Sequence, residues 1–353
     1  MKSTSKTIAT LKRYKLYTPA RGAYTFFSSI GNGLFRGPVI LVYHRVAKPD
    51  CDPFLLSVSP EHFREQMEYL TKNYRIVSLN ELRQNIDNGK LNPKSLAVTF
   101  DDGYEDNFSN ARPVLEQLNI PATIFVVSGR IGSNKEFWWD ALERMLLTPD
   151  TLPDTLELTI QDKTYRWPTG GKSLNARWNV TQSPLNERHR LFMELQHLLR
   201  LMDDTGRQEV LSGIEHWVAA ALPQSKPVAS FMSPVELKLL AGSGLIDIGA
   251  HTVTHPVLSA QPPEAQRREI IESKRQLEDI VERPVTAFAY PYGSREDIGK
   301  ETIDLVREAG FGLACANFPG YVNRHTDPLL LPRWVVRNWD AKEFAARFKS
   351  LRS

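Results

Sequence analysis

"SLAVTFDDGYEDNF", Ser95 to Phe108, decides how the rest of the chain is read. Small, β-branched and aromatic residues carry the chain up to Phe100 with the composition of a buried strand. Two aspartates then stand side by side ahead of Gly103. Neighbouring carboxylates oppose each other's ionisation, so Asp101 and Asp102 at a strand tip call for a cation. A divalent ion removes the conflict: one carboxylate ligates it and the other stands beside a bound water as general base. The competing reading is a turn or helix cap, which Asp-Gly also favours.

Outward from this stretch, short apolar strands alternate with amphipathic helices. Strands are expected at 38–44 ("PVILVYH"), 96–100, 121–129, 245–251, 285–290, 311–316 and 330–336. Helices are expected at 59–74, opened by Ser59 with Pro60 at its first position, and at 110–119, 262–282, 300–310 and 341–350. This alternation implies an α/β fold around a parallel sheet, open or closed into a barrel. Residues 132–232 break the rhythm. There 155–167 resembles a hairpin and 187–204 and 207–222 resemble two helices, so an inserted cap at the barrel's edge is expected.

In such folds the site lies at the carboxyl ends of the strands. Four places qualify: His44 after "PVILVY", Asp101 and Asp102, His251 and His255 in "AHTVTH", and Tyr290-Pro291-Tyr292-Gly293 after "VTAFA". All would project onto one rim. Two imidazoles four residues apart share a side of a helix or a tight turn. With one carboxylate they make a three-ligand site with open positions, the pattern of catalytic zinc and related divalent ions. Alone, the H-x-x-x-H pair would not distinguish a metal site from two buried structural histidines.

"TFDDG", "HTVTH" and "FAYPYG", in this order and each after a strand, resemble the polysaccharide deacetylase (NodB-homology) family of metal-dependent carbohydrate esterases, over about 38–130 and 233–340. The resemblance implies a distorted (β/α) barrel of about seven strands over 37–131 and 233–353. The helical and hairpin insertion of 132–232 and a basic segment, 1–36, fall outside it. It implies hydrolysis of the acetamide of N-acetylated sugars in a polysaccharide or glycoconjugate. By motif position Asp101 would be the base, and Asp102, His251 and His255 would hold the divalent metal, Zn2+ with Co2+ or Ni2+ as alternatives. Tyr292 would offer its backbone N–H to the oxyanion.

Two departures stand out. Ala289 occupies the place of the arginine that orients the base, and Leu331-Pro332-Arg333 replaces the Leu-x-His that supplies the acid. "LVYHRV" resembles the opening of biofilm poly-N-acetylglucosamine deacetylases, whose acid histidine comes from the first strand. On that likeness His44, as imidazolium, protonates the departing amine, and Arg333 takes the space of the missing arginine. The alternatives are a core histidine at 44 and a surface or ion-pair arginine at 333.

Composition is that of an ordinary globular protein, 41% hydrophobic and 24% charged over 353 residues, and a net charge of +3 makes no case for nucleic acid. Cys51 and Cys315 match no thiolate metal spacing and are expected as buried or free thiols. Six Lys/Arg in the first 21 residues precede an aromatic-rich stretch, with no apolar signal core and no segment of membrane-spanning length. A cytoplasmic protein is expected, its basic end either a tail packed on the domain or a peripheral contact with the inner membrane face. The sequence does not set the oligomeric state. Trp138, Trp139, Trp167, Trp178 and Trp217 in the insertion, and Trp334 and Trp339 near the last strand, are core residues or stacking faces for sugars. Other functions compatible with the motifs are a deacetylase or deformylase of a lipid- or nucleotide-linked sugar and a glycan-binding pseudoenzyme. A phosphoesterase would need a second set of carboxylates.

Overall fold

Mostly buried runs of five or six residues form the central strands of a parallel sheet, and shorter strands extend it at both edges. The computed structural model describes residues 37–170, 177–221 and 229–352. The basic segment 1–36, with its proposed membrane contact, lies outside the described residues. The sheet is built from β1 (Val39–Tyr43), β2 (Ser95–Phe100), β3 (Ala122–Val126), β4 (Ile246–Ala250), β5 (Ala287–Ala289), β6 (Leu313–Cys315) and β7 (Trp334–Val335). Their order is β6-β5-β4-β3-β2-β1-β7, every pairing parallel. Arg75–Ile76 adds a short pairing on the start of β2.

The sheet curls until its two edges nearly meet. Trp334 and Val335 pair with Leu41 and Val42, while Leu331, three residues earlier, bridges Cys315 on the opposite edge. The expected strand 330–336 is therefore split, with Pro332 and Arg333 crossing between edges. Proline lacks the N–H that a continuous ladder needs.

Alternation along β1 and β2 separates two layers. Leu41, Tyr43, Val98 and Phe100 face outward into helices, while Ile40 and Ala97 face inward with Phe125, Ala289 and Leu331. Small residues line this interior because Phe125 fills it. At Gly249 an added Cβ would stand 2.4 Å from Phe125 Cδ1.

The outer helices follow their sequence signals. In α1 (Pro60–Asn73) the Ser59 side chain caps the His62 amide, and Phe63, Gln66, Met67 and Leu70 form the buried stripe. The insertion holds the hairpin Thr155–Ile160 with Lys163–Pro168, then α2 (Glu187–Arg200) and α3 (Asp204–Val218). Its apolar residues, Phe231 among them, gather in a second cluster that Tyr104 and Val127 of the barrel join. The long α4 (Pro263–Val281) lies against the sheet after the β4 loop.

Candidate active site

Register brings the strand-end residues together. Tyr43 is level with Phe100, Phe100 with Ile124, and Val126 with Ala250. One residue on, the Asp101 amide donates to Tyr43 O (3.0 Å) and the His251 amide to Val126 O (3.0 Å). His44, Asp101, Asp102, His251, His255 and Tyr292 thus border one cavity of about 270 Å³.

The two aspartates have opposite environments. Asp101 lies in a bidentate pair with Arg333, Nη1 to Oδ1 at 2.7 Å and Nη2 to Oδ2 at 2.6 Å. The guanidinium also donates to Ala316 O (3.0 Å), Thr99 Oγ1 (3.2 Å) and Asn317 Oδ1 (2.7 Å). Burial pushes Asp101 upward, but the Arg333 charge and then His251 outweigh it and hold the carboxyl below its ordinary range. Arg333 is therefore buried against Asp101 rather than on the surface. Asp102 has no such counter-charge. Burial, then Asp101 and Asp140, drive its pKa well up, so the carboxylate is stable as an anion only beside an added cation.

Asp102 Oδ1 lies 3.7 Å from His251 Nε2 and 3.6 Å from His255 Nε2. These gaps are too long for hydrogen bonds but close to the ~3.4 Å between donors at ~2.1 Å around a tetrahedral ion. Among the described residues this is the one trio of His, Cys, Asp or Glu able to hold a metal, its donor atoms within 4.8 Å of one another. Burial lowers both histidines, His255 further because His251 and Arg207 add positive charge, so both rings are neutral. His251 Nδ1 lies 2.8 Å from Ala289 O, which directs Nε2 at the site. His255 sits edge-on to Trp139 (5.0 Å) and Tyr292 (4.8 Å), with its buried Nδ1 unpartnered. A carboxylate with no cation and two neutral imidazoles fit a divalent ion of zinc type.

The backbone here is unusual. Asp102 (φ 76°), Thr252 (65°), His255 (58°) and Tyr292 (60°) are all left-handed, a conformation costly for side chains other than glycine and concentrated at functional sites. After Tyr292, Gly293 is obligatory, since a Cβ there would meet Asn317 N at 2.8 Å. Among the described residues no carbonyl accepts from the Tyr292 amide. His44 borders the cavity with its carbonyl held by Asn107 Nδ2 (2.8 Å). Burial lowers it to about 4, against the upward pull of Asp101. Its surroundings thus disfavour the imidazolium at rest.

The sequence missed several contributors. Asn317, Arg337, Gln196 and the Phe54–Leu56 loop also line the cavity. Arg337 fastens that loop by donating to the carbonyls of Phe54 and Leu55. None belongs to a motif with regular spacing, so no local signal marks them. Trp138 and Trp139 are both core and cavity wall, whereas Trp167 and Trp178 are buried within the insertion. Cys51 and Cys315 are free thiols, and among the described residues no helix is long and apolar enough to cross a membrane.

Comparison with known proteins gives a consistent picture. Residues 88–152 and 196–314 match the family described as polysaccharide deacetylase. YxkH of Bacillus subtilis is 20% identical over 316 residues, 89% of this chain and 76% of that protein. The poly-beta-1,6-N-acetyl-D-glucosamine N-deacetylase of Staphylococcus epidermidis is 32% identical over 106 residues, 26% of this chain and 37% of that protein. Among solved structures, IcaB from Ammonifex degensii has a TM-score of 0.56 at 19% identity, covering 90% of this chain and 98% of its own. The Streptococcus pyogenes deacetylase PplD, in complex with acetate, has a TM-score of 0.53 at 16% identity, covering 90% and 99%. At these identities the structural likeness is one of fold: a curled, parallel, NodB-type (β/α) barrel.

Proposed function

The chain belongs to the polysaccharide deacetylase family of amide-cleaving carbohydrate hydrolases, and on that premise we propose that it removes acetyl groups from N-acetylglucosamine units of a glycan. The Staphylococcus relative, named for action on such a polymer, supports this choice of sugar. The observation that carries the reading is the shared cavity of the Asp102–His251–His255 trio and the Arg333-paired Asp101. We further read 37–131 and 233–353 as the barrel and 132–232 as its cap.

Asp102, His251 and His255 would hold the divalent ion, zinc by its preference for one carboxylate and two imidazoles. When bound, the ion supplies Lewis acidity to the acetyl carbonyl and acidity to a water. Asp101, kept ionised by Arg333, accepts the proton of the attacking water. The Tyr292 amide donates to the oxyanion, a contribution of roughly 3 kcal/mol to the barrier. His44 passes a proton to the departing amine. Over the whole reaction the proton lost by the water balances the one gained by the amine, so no external acid is consumed.

The test is acetate release from an N-acetylglucosamine oligomer, alongside elemental analysis of the pure protein. Chelation should abolish release and zinc should restore it. Acetate release that survives both chelation and Asp102→Ala would refute the assignment.

A further inference from the structure

The site is held from two sides, and one side belongs to the insertion. Arg207 lies near the start of α3 and is 1% exposed. Its Nε donates to Leu199 O (3.0 Å), which also accepts from the Met202 amide (3.2 Å), and its Nη2 to Arg200 O (3.1 Å), both carbonyls at the end of α2. Its Nη1 crosses to the barrel loop, donating to Thr254 O (3.3 Å) and His255 O (3.1 Å), and Nη2 lies 3.5 Å from Tyr292 Oη. All these acceptors are carbonyl or hydroxyl oxygens. A buried guanidinium so placed is costly unless the positions of those oxygens matter.

The loop it grips is strained and otherwise held by the barrel. Thr252 and His255 are both left-handed, a conformation unfavourable for β-branched threonine above all. Glu269 of α4 accepts from the Val253 and Thr254 amides (2.8 and 2.9 Å), and Thr252 Oγ1 accepts from the His255 amide (3.0 Å). The Ser128 and Gly129 amides donate to the carbonyls of Thr252 and Val253 (both 3.0 Å). The carbonyls of Thr254 and His255 remain, and Arg207 takes both.

We propose that Arg207 makes the insertion part of the catalytic apparatus: it is a positioning residue that fixes the His251–His255 loop and the Tyr292 side chain in ligand-ready geometry. The inference rests on the metal reading above. A matched control is Arg188 of α2, also 1% exposed, which donates to the carbonyls of Pro149 and Asp150 within the insertion.

The experiment compares Arg207→Lys and Arg188→Lys with the wild type by two measurements. Zinc affinity, from competition with a chromophoric chelator, should fall about 10–100-fold in Arg207→Lys, the effect usual for groups that orient ligands, and stay unchanged in Arg188→Lys. Hydrogen exchange over 251–256 in the metal-free protein should rise in Arg207→Lys alone. Unchanged affinity and exchange in Arg207→Lys would overturn the inference. So would equal losses in both variants, which would report only a weakened insertion. If the wild type takes up no zinc, the metal reading fails, and the exchange comparison by itself decides whether Arg207 clamps the loop.

Discussion

Replacing Arg333 by methionine removes the counter-charge of Asp101 while roughly keeping volume. Both side chains are at most 1% exposed, and the guanidinium makes two close bonds to the carboxylate. Breaking a buried pair by removing one partner costs about 3–5 kcal/mol. The part of that cost borne by the ionised carboxylate raises the Asp101 pKa. The direction follows from the present balance: burial raises this carboxyl, and Arg333 with His251 brings it below its ordinary value. A carboxylate lowered in the folded state adds stability above its unfolded pKa, and that stability is lost as pH falls through the folded value. Without Arg333, burial dominates and Asp101 stays protonated into the range where the base must be ionised. The acidic limb of kcat/KM for acetate release should move to higher pH, and Tm at pH 7 should fall by roughly 5–10 °C. Arg333→Lys keeps the charge without the fork and should fall between. An unshifted acidic limb in folded Arg333→Met would show that Arg333 does not keep Asp101 ionised.

Four further outcomes are expected. Asp102→Ala and His255→Ala should purify without the metal that the wild type carries and release no acetate; retention of one ion per chain by either would remove these side chains from the ligand set. Asp101→Asn should keep the ion yet lose about 10²–10⁴ in kcat, the range for general base catalysis, and turnover within a few-fold of wild type would reassign the base. His44→Ala should lose rate on the acetamide by a similar factor but little on an aryl acetate, whose leaving group needs no proton; equal losses on both would argue against an acid role. Glu143 in the insertion is raised to about 9 by burial, then by Asp140 and Asp52. Its stabilising contribution is full below its unfolded value and lost as pH rises towards 9. Glu143→Gln should therefore raise Tm at pH 9 relative to wild type, and a parallel decline in both proteins would refute this.

Much of this was legible in the linear chain because its signals are local. The buried runs of β1, β2 and β4 and the capped α1 lie where pattern and capping residues place them, within a residue or two. Boundaries slipped where backbone geometry departs from regular periods. The expected strand 121–129 stops at Val126 and turns into a 3₁₀ segment, and the expected helix 110–119 is preceded by a π turn at Asn107–Ala111. The insertion's hairpin and helices were visible as elements, but their contact with His255 and Tyr292 was not.

By itself the sequence determined the alternation of strands and helices and the polar residues that end the strands. Asp101 and Asp102 are adjacent, and His251 and His255 are four apart, so chain geometry alone keeps each pair within reach of one ion. Residue spacing could not show that Arg333 meets Asp101 across 232 positions of sequence, a pairing that only the family resemblance implied, and only the tertiary structure decided that Arg207 would cross from the insertion to the His255 carbonyl. It also decided the downward pull on His44, because desolvation is a property of what packs around a ring. These outcomes depend on how a curled sheet brings its two edges together, and no spacing along the chain encodes the distance between residues that meet only there.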